Sequence, residues 1–198
     1  MRRHEAGYQL LELLIALAIS GLVVTVSVPP LVRLTARLRV ELAAAEVAST
    51  LRVARAFAIR HGANVGLKFR IAGDGSVSWA LFRDADGDGV LTADIDSGVD
   101  PEVLSPQRLS HFGRTVRFGF PPGRAPRDPS DPRRRLDRLE DPIRFNRSDI
   151  ASFAHLGTST PGSIYITDGS RYLAAVRVSN HTGRVTRLQY DVEKETWR

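Results

Sequence analysis

The 198-residue sequence contains no cysteine. That excludes a disulfide framework and every thiolate chemistry, whether nucleophilic, redox or metal-ligating. No His-Glu-x-x-His pair, phosphate-binding P-loop or nucleophile elbow occurs, and no internal repeat is found. Asp149, Ser152 and His155 are near one another in sequence, but a triad is defined by geometry and roles rather than by proximity. His4, His61, His111 and His181 are isolated and read as surface or satisfied loop residues. The sequence is therefore read as a non-enzyme, and a membrane-anchored hydrolase is the weakest of the function classes considered. Lysine is also scarce: nearly all basic residues are arginine, and the net charge is +6 with a pI near 10.4. Basicity of this size permits anionic partners such as nucleic acid or lipid headgroups, although a general preference for arginine explains it equally.

A further absence organises the chain. From Leu13 to Val32 there is no charged residue, and Leu, Ile, Val and Ala dominate. About 20 such residues are what a helix needs to cross a hydrocarbon core roughly 30 Å thick. Arg2 and Arg3 precede the run and favour a cytoplasmic N-terminus. A cleaved secretory signal would end in an Ala-x-Ala-like site; here the run passes instead into "SVPPLVRLTARLRV", which keeps helical character. An uncleaved anchor is the better reading, with a buried core helix as the bland alternative. At the mouth of the run stands Glu12. A carboxylate beside a membrane is costly unless paired, and no basic residue lies one turn away within the run. Its partner is expected from another molecule, or from an amino terminus made by processing.

These residues resemble a known signal. "GYQLLELLIALAI" is similar to the class III signal of type IV pilins and type II secretion pseudopilins. The resemblance implies that a prepilin peptidase cuts between Gly7 and Tyr8 and that the new N-terminus at Tyr8 is methylated. It also implies that Glu12 pairs with the terminal amine of a neighbouring subunit. Tyr8 and Gln9 depart from the family's usual Phe and Thr at those positions, and Pro29 matches its helix-interrupting proline. Proline removes a backbone donor and loosens or kinks a helix.

Beyond Pro30 the helix is expected to continue to a stop at His61-Gly62, making from Tyr8 a rod about 80 Å long. Leu34, Leu38, Leu42, Ala45 and Ala48 are read as the face laid on a sheet, with Arg33, Arg37, Glu41 and Arg52 on other faces. From Asn64 the period becomes alternating. "NVGLKFRI" and "SVSWALF" around the turn "AGDG" read as a hairpin, and "TVRFGF", "PIRFN", "GSIYIT", "YLAAVRVS" and "RVTRLQYDV" as later strands. The turns "TDGS" and "NHTGR" separate the last three. The expected fold class is α+β: a long N-terminal helix packed on an antiparallel sheet. The expected organisation is a leader over 1–7, a transmembrane or filament-core helix over 8–32, an amphipathic helix over 33–62 and a periplasmic β-rich domain over 63–198.

The stretches "LRVARAFAIRHGANVGLKF", "SFAHLGTSTPGSIYITDG" and "VRVSNHTGRVTRLQY" resemble those of GspH/FimT-type minor pseudopilins. Gly157, Gly162 and Gly183 within them are read as turn residues. The implied role is a structural subunit of a periplasmic pseudopilus in type II secretion or type IV pilus assembly. The implied setting is the bacterial inner membrane, with other pseudopilins, an assembly platform and the prepilin peptidase as partners. The alternative is a nucleic-acid-binding pseudopilin of a DNA-uptake machine, gripping DNA through Arg184 and Arg187.

Two loops invite chemistry. In "FRDADGDGVLTADIDSGVD", Asp84, Asp86, Asp88 and Gly89 match the opening of a calcium loop. The twelfth position is Ile95, between Asp94 and Asp96, where an EF-hand has Glu. A polar turn is therefore the favoured reading and Ca2+ the alternative. "FPPGRAPRDPSDPRRRLDRLEDP" reads as a mobile, solvated excursion. The charges of Arg133, Arg134, Arg135 and Arg138 are largely cancelled by Asp128, Asp131, Asp137, Glu140 and Asp141.

Overall fold

The computed structural model describes residues 5–73, 76–113, 115–179 and 182–198; for 5–9, 29, 110 and 111 it describes the backbone alone. Met1 to His4, the side chain of Tyr8, and the turn residues Asp74, Gly75, Asn180 and His181 lie outside that description. The chain divides into two units, 1–38 and 39–198.

Helix α1 (Glu5–His61) supplies all of the described first unit and opens the second. Within the first unit its large apolar side chains, Leu13, Leu17, Leu22 and Val26 among them, are exposed. The polar groups in this stretch are satisfied by the helix itself: Ser20 Oγ donates to the Ala16 carbonyl and Thr25 Oγ1 to the Gly21 carbonyl, each at 2.7 Å. Such back-bonding suits a segment with no water to bond to. Helical geometry runs through Pro29 and Pro30 without a break, although each proline removes one main-chain donor. The helix ends as its sequence indicates: Gly62 takes φ +61° and Ala63 N–H returns to the Ala58 carbonyl at 3.2 Å, closing the last turn.

The second unit contains two antiparallel sheets rather than the single sheet expected. The first has the order β3-β2-β1-β6, from β1 (Val65–Ile71), β2 (Val77–Arg83), β3 (Glu102–Arg108) and β6 (Ile150–Phe153). The second has the order β10-β9-β8-β7-β4. It is built from β4 (Arg117–Phe118), β7 (Gly162–Thr167), β8 (Leu173–Val178), β9 (Val185–Asp191) and β10 (Thr196–Trp197), with β5 (Ile143–Arg144) also pairing with β7. The β1–β2 hairpin sets Leu67 opposite Leu81 and Phe69 opposite Trp79. The β7–β8 pair sets Ile164 opposite Val176. Alternation within each strand turns these residues to one side.

That side is the main core, and the helix face that joins it includes Ala48, as expected, but not the expected leucines. Val40, Ala43, Ala44, Val47, Ala48, Leu51, Ala54 and Ala58 are buried with residues of both sheets, whereas Leu34, Leu38 and Leu42 remain 51%, 44% and 57% exposed. At 3.6 residues per turn the buried set forms one stripe and Leu42 lies opposite it. Alanine wins the inward face because its short side chain lets the helix axis approach the sheets closely, leaving their large side chains to fill the layer. Phe69, Trp79, Phe118 and Phe145 form the aromatic centre of that layer, with ring centroids 5.8–6.3 Å apart. Gly162 opens β7 rather than a turn; a Cβ there would overlap Phe145 and the Arg144 carbonyl.

Both sheets are also covered on their outer faces, by the two loops in question. The aspartate-rich loop inserts Val90 and, from the short helix α2 (Thr92–Ser97), Ile95 against Ala80, Phe82 and Ile150. Gly66 leaves room for this: a Cβ would stand 2.8 Å from Val90 Cβ and 2.7 Å from Ile150 Cγ2. The proline-rich loop is not a free excursion. Leu136 is buried against Tyr165, Leu173, Ala175 and Tyr190. The Trp197 indole N–H donates to the Arg127 carbonyl at 2.7 Å, and Arg135 reaches Glu195 at 2.6 Å. The charge pattern points to solvation, but Leu136 and Leu139 supply an apolar underside packed on the second sheet.

Candidate functional site

Three places carry the residues singled out above. The first is the start of α1. Glu12 is exposed on the helix, and no described residue pairs with it. Around it Leu10, Leu11, Leu13, Leu14 and Ile15 are all exposed, so an acid sits in an apolar surface that nothing in its own unit covers. The segment offers a long apolar face for lipid or for like helices, with one charge that demands a partner. The backbone at Gly7 and Tyr8, where cleavage is expected, is helical.

The second is the loop between β2 and β3. Asp84, Asp86 and Asp88 bring carboxylate oxygens within 4.8 Å of one another. Asp84 is already engaged. Its Oδ1 accepts from Gly87 N–H at 2.7 Å, and its Oδ2 accepts from Gly89 N–H at 3.1 Å and from Asn64 Nδ2 at 2.9 Å. Burial alone would raise this carboxyl, but the Asn64, Gly87 and Gly89 bonds outweigh it and hold it below the ordinary value of 3.8. Asp100, 1% exposed, ties the ends of the loop by accepting from Ala85 N–H at 3.2 Å and Leu91 N–H at 3.3 Å. The sequence reading missed it, although an aspartate just after a Gly-rich turn is a common loop closer. Desolvation followed by the negative charge of Asp86 raises Asp88 and Asp94. Asp96 faces away, on Arg70 at 2.8 Å. Ile95, at the position where an EF-hand has its closing acid, points into the apolar cluster. The loop is thus a self-closed turn in which the exposed carboxylates of Asp86 and Asp88 stand beside the buried, hydrogen-bonded carboxylate of Asp84, a donor set suited to a hard cation such as calcium.

The third is basic. Arg184 lines a groove, and Arg187 is exposed outside its lining. The residues that join Arg184 are Arg52, Arg55 and Arg60 from α1. They are more than a hundred positions away in the sequence, and only the three-residue spacing of Arg52 and Arg55 hinted at a common side. His155 bonds Asn64 Oδ1 through Nδ1 at 3.3 Å, and no contact with Ser152 or Asp149 assembles a triad among the described residues. His61 stacks on Phe57 with centroids 4.1 Å apart.

The family model described as type II transport protein GspH matches residues 43–183, from the buried alanine face of α1 to the turn before β9. The chain belongs to the GspH family. No curated protein matches it. The minor pseudopilin EpsH from the type 2 secretion system of Vibrio cholerae is similar over 75% of this chain and 94% of its own, at 12% identity and a TM-score of 0.43. As a GspH-family protein the chain is a minor pseudopilin of type II secretion. Its family is structural rather than catalytic, its partners include other pseudopilins, and its apolar N-terminal helix fits a single membrane anchor. The DNA-uptake alternative gains no support.

Proposed function

We propose that this GspH-family chain is a structural subunit held in the bacterial inner membrane by residues 8–32, its N-terminus cytoplasmic and residues 63–198 periplasmic. It joins a pseudopilus through the apolar surface of α1. The observation that carries this reading is Glu12, a carboxylate without a described partner amid exposed Leu and Ile side chains. In a packed bundle of such helices an unpaired carboxylate costs several kcal/mol. A positive group at the right height removes that cost. Cleavage between Gly7 and Tyr8 by the prepilin peptidase creates one, the amine of Tyr8, which is then methylated and stays cationic. On an adjacent subunit that amine meets Glu12, so the pair fixes the axial register of docking while the inner-membrane assembly platform feeds subunits in.

Processing is tested by the intact mass of the protein extracted from membranes of cells with active prepilin peptidase. The expected mass is that of a chain beginning at Tyr8 with one methyl group. A mature chain that still begins at Met1 overturns the proposal. In the same reading the Asp84, Asp86 and Asp88 loop is the place where calcium would bind, and its role is to hold the outer face of the first sheet.

A further inference from the structure

The face of α1 away from the buried alanines carries exposed apolar side chains beside half-buried Glu46 and exposed Arg52 and Arg60. Leu42, Val53 and Ile59 expose half or more of their surface, and the small residues Ser49 and Ala56 are exposed between them. Leu42, Ser49 and Ala56 recur at heptad spacing, the arrangement by which one helix seats another along its length. Small side chains at two of these positions permit a close approach, and a serine hydroxyl can return its bond to its own helix when it is covered. Beside the last two turns this stripe opens into a groove of about 780 Å³, lined by the apolar side chains of Ala56, Ile59 and Val185 and by Arg52, Arg55, Arg60 and Arg184. No described carboxylate pairs with any of the four. Arg52 gives one bond, from Nη2 to the Val185 carbonyl at 3.3 Å. Arg55 is pressed against Gly183 and Gly157, and its Nε is buried with no acceptor. Some arginines elsewhere in the unit are met by acids, as Arg135 and Arg127 are by Glu195 and Arg70 is by Asp96. What marks this groove is that four guanidinium groups without a described carboxylate gather beside apolar side chains in one place.

We propose that the outer face of α1 and its arginine groove form a docking surface for an acidic amphipathic helix of another protein. The partner's apolar edge lies on Leu42, Val53 and Ala56, passing close over Ser49, and its Asp or Glu side chains enter the groove. Guanidinium forks bind carboxylates through paired N–H donors, and the apolar lining lowers the local dielectric that screens them. A helix fits better than an extended nucleic acid or a lipid headgroup, because the arginines flank exposed apolar side chains of helical period. That the partner is a neighbouring pseudopilin rests on the proposed function; the chemistry of the groove does not.

The test uses the full chain in detergent micelles or nanodiscs. The probes are a synthetic amphipathic helical peptide of Leu, Ala and Glu, and the same peptide with Gln for Glu. The Glu peptide should bind at least about tenfold more tightly than the Gln peptide and weaken as salt rises. Arg60→Glu with Arg184→Glu should abolish that preference without lowering the melting temperature. Arg133→Glu with Arg187→Glu makes the same change in net charge outside the groove and should leave binding intact. Equal binding of the two peptides, or equal loss in both double variants, overturns the proposal. So does tighter binding of a DNA duplex, or of phosphatidylglycerol nanodiscs over neutral ones, that depends on Arg60 and Arg184. If the double variant melts early, Ile59→Glu, which places an acid in the groove lining, must weaken the Glu peptide more than the Gln peptide; otherwise the proposal fails. Loss of the groove with Glu12-dependent assembly intact separates this proposal from the proposed function.

Discussion

Replacing Ala48 with leucine on the helix is expected to destabilise the globular unit, whereas replacing Leu42 with alanine is not. Ala48 is 0% exposed and packed with Val47, Leu51 and both sheets, so three added carbons have nowhere to go without displacing a sheet or twisting a rotamer. Overpacking of this kind costs about 1–3 kcal/mol, and leucine's helix propensity, within a few tenths of a kcal/mol of alanine's, changes little. For a domain of this size each kcal/mol is worth about 2–4 °C, so a fall of about 4–8 °C is expected at the middle of that range. Leu42 is 57% exposed. Its loss removes little buried surface and should stay within about 0.5 kcal/mol. Thermal melting of the full chain in micelles, followed by circular dichroism, compares the two. Had Leu42 been on the buried face, Leu42→Ala would cost about 2–5 kcal/mol, as much as Ala48→Leu or more. That order of melting temperatures would refute the packing described here.

A fragment beginning at Arg33 should be soluble and melt cooperatively, because its core is complete from Val40 onward; aggregation without a transition would count against a self-contained domain. Millimolar calcium should raise the melting temperature more than magnesium does, by about 1.4 kcal/mol at ten times the dissociation constant. The effect should vanish in Asp86→Asn with Asp88→Asn, and equal melting in calcium and chelator would leave the loop a plain turn.

Much of this was legible in the residues. The uncharged run and Glu12 announce the N-terminal segment. His61-Gly62 marks the helix end, and the apolar alternation of β1 together with the apolar runs of β7 and β8 gives the central hairpins. The helix face was misread because hydropathy ranks leucine above alanine, whereas close packing on two sheets selects for small volume. β4 and β5 are two residues each, too short to show a period, and β3, exposed at most of its positions, has almost no apolar signal. The packed underside of the proline-rich loop rests on Leu136, Leu139 and Trp197, residues from separate segments that local composition cannot connect. The arginine groove has the same cause: Arg52, Arg55 and Arg60 meet Arg184 only once β9 has folded beside α1.

The central claim is that Glu12 marks docking of this subunit into a filament, and Glu12→Gln tests it most directly. The substitution keeps shape and polarity and removes the charge, leaving Gly7 and the apolar run that processing reads. Site-specific crosslinking to co-expressed pseudopilins, normalised to protein level, reports association in the membrane. The account predicts a normally inserted, normally cleaved protein whose crosslinking falls at least about tenfold, equivalent to ~1.4 kcal/mol of the lost pair. Crosslinking at the level of the unaltered chain would contradict it.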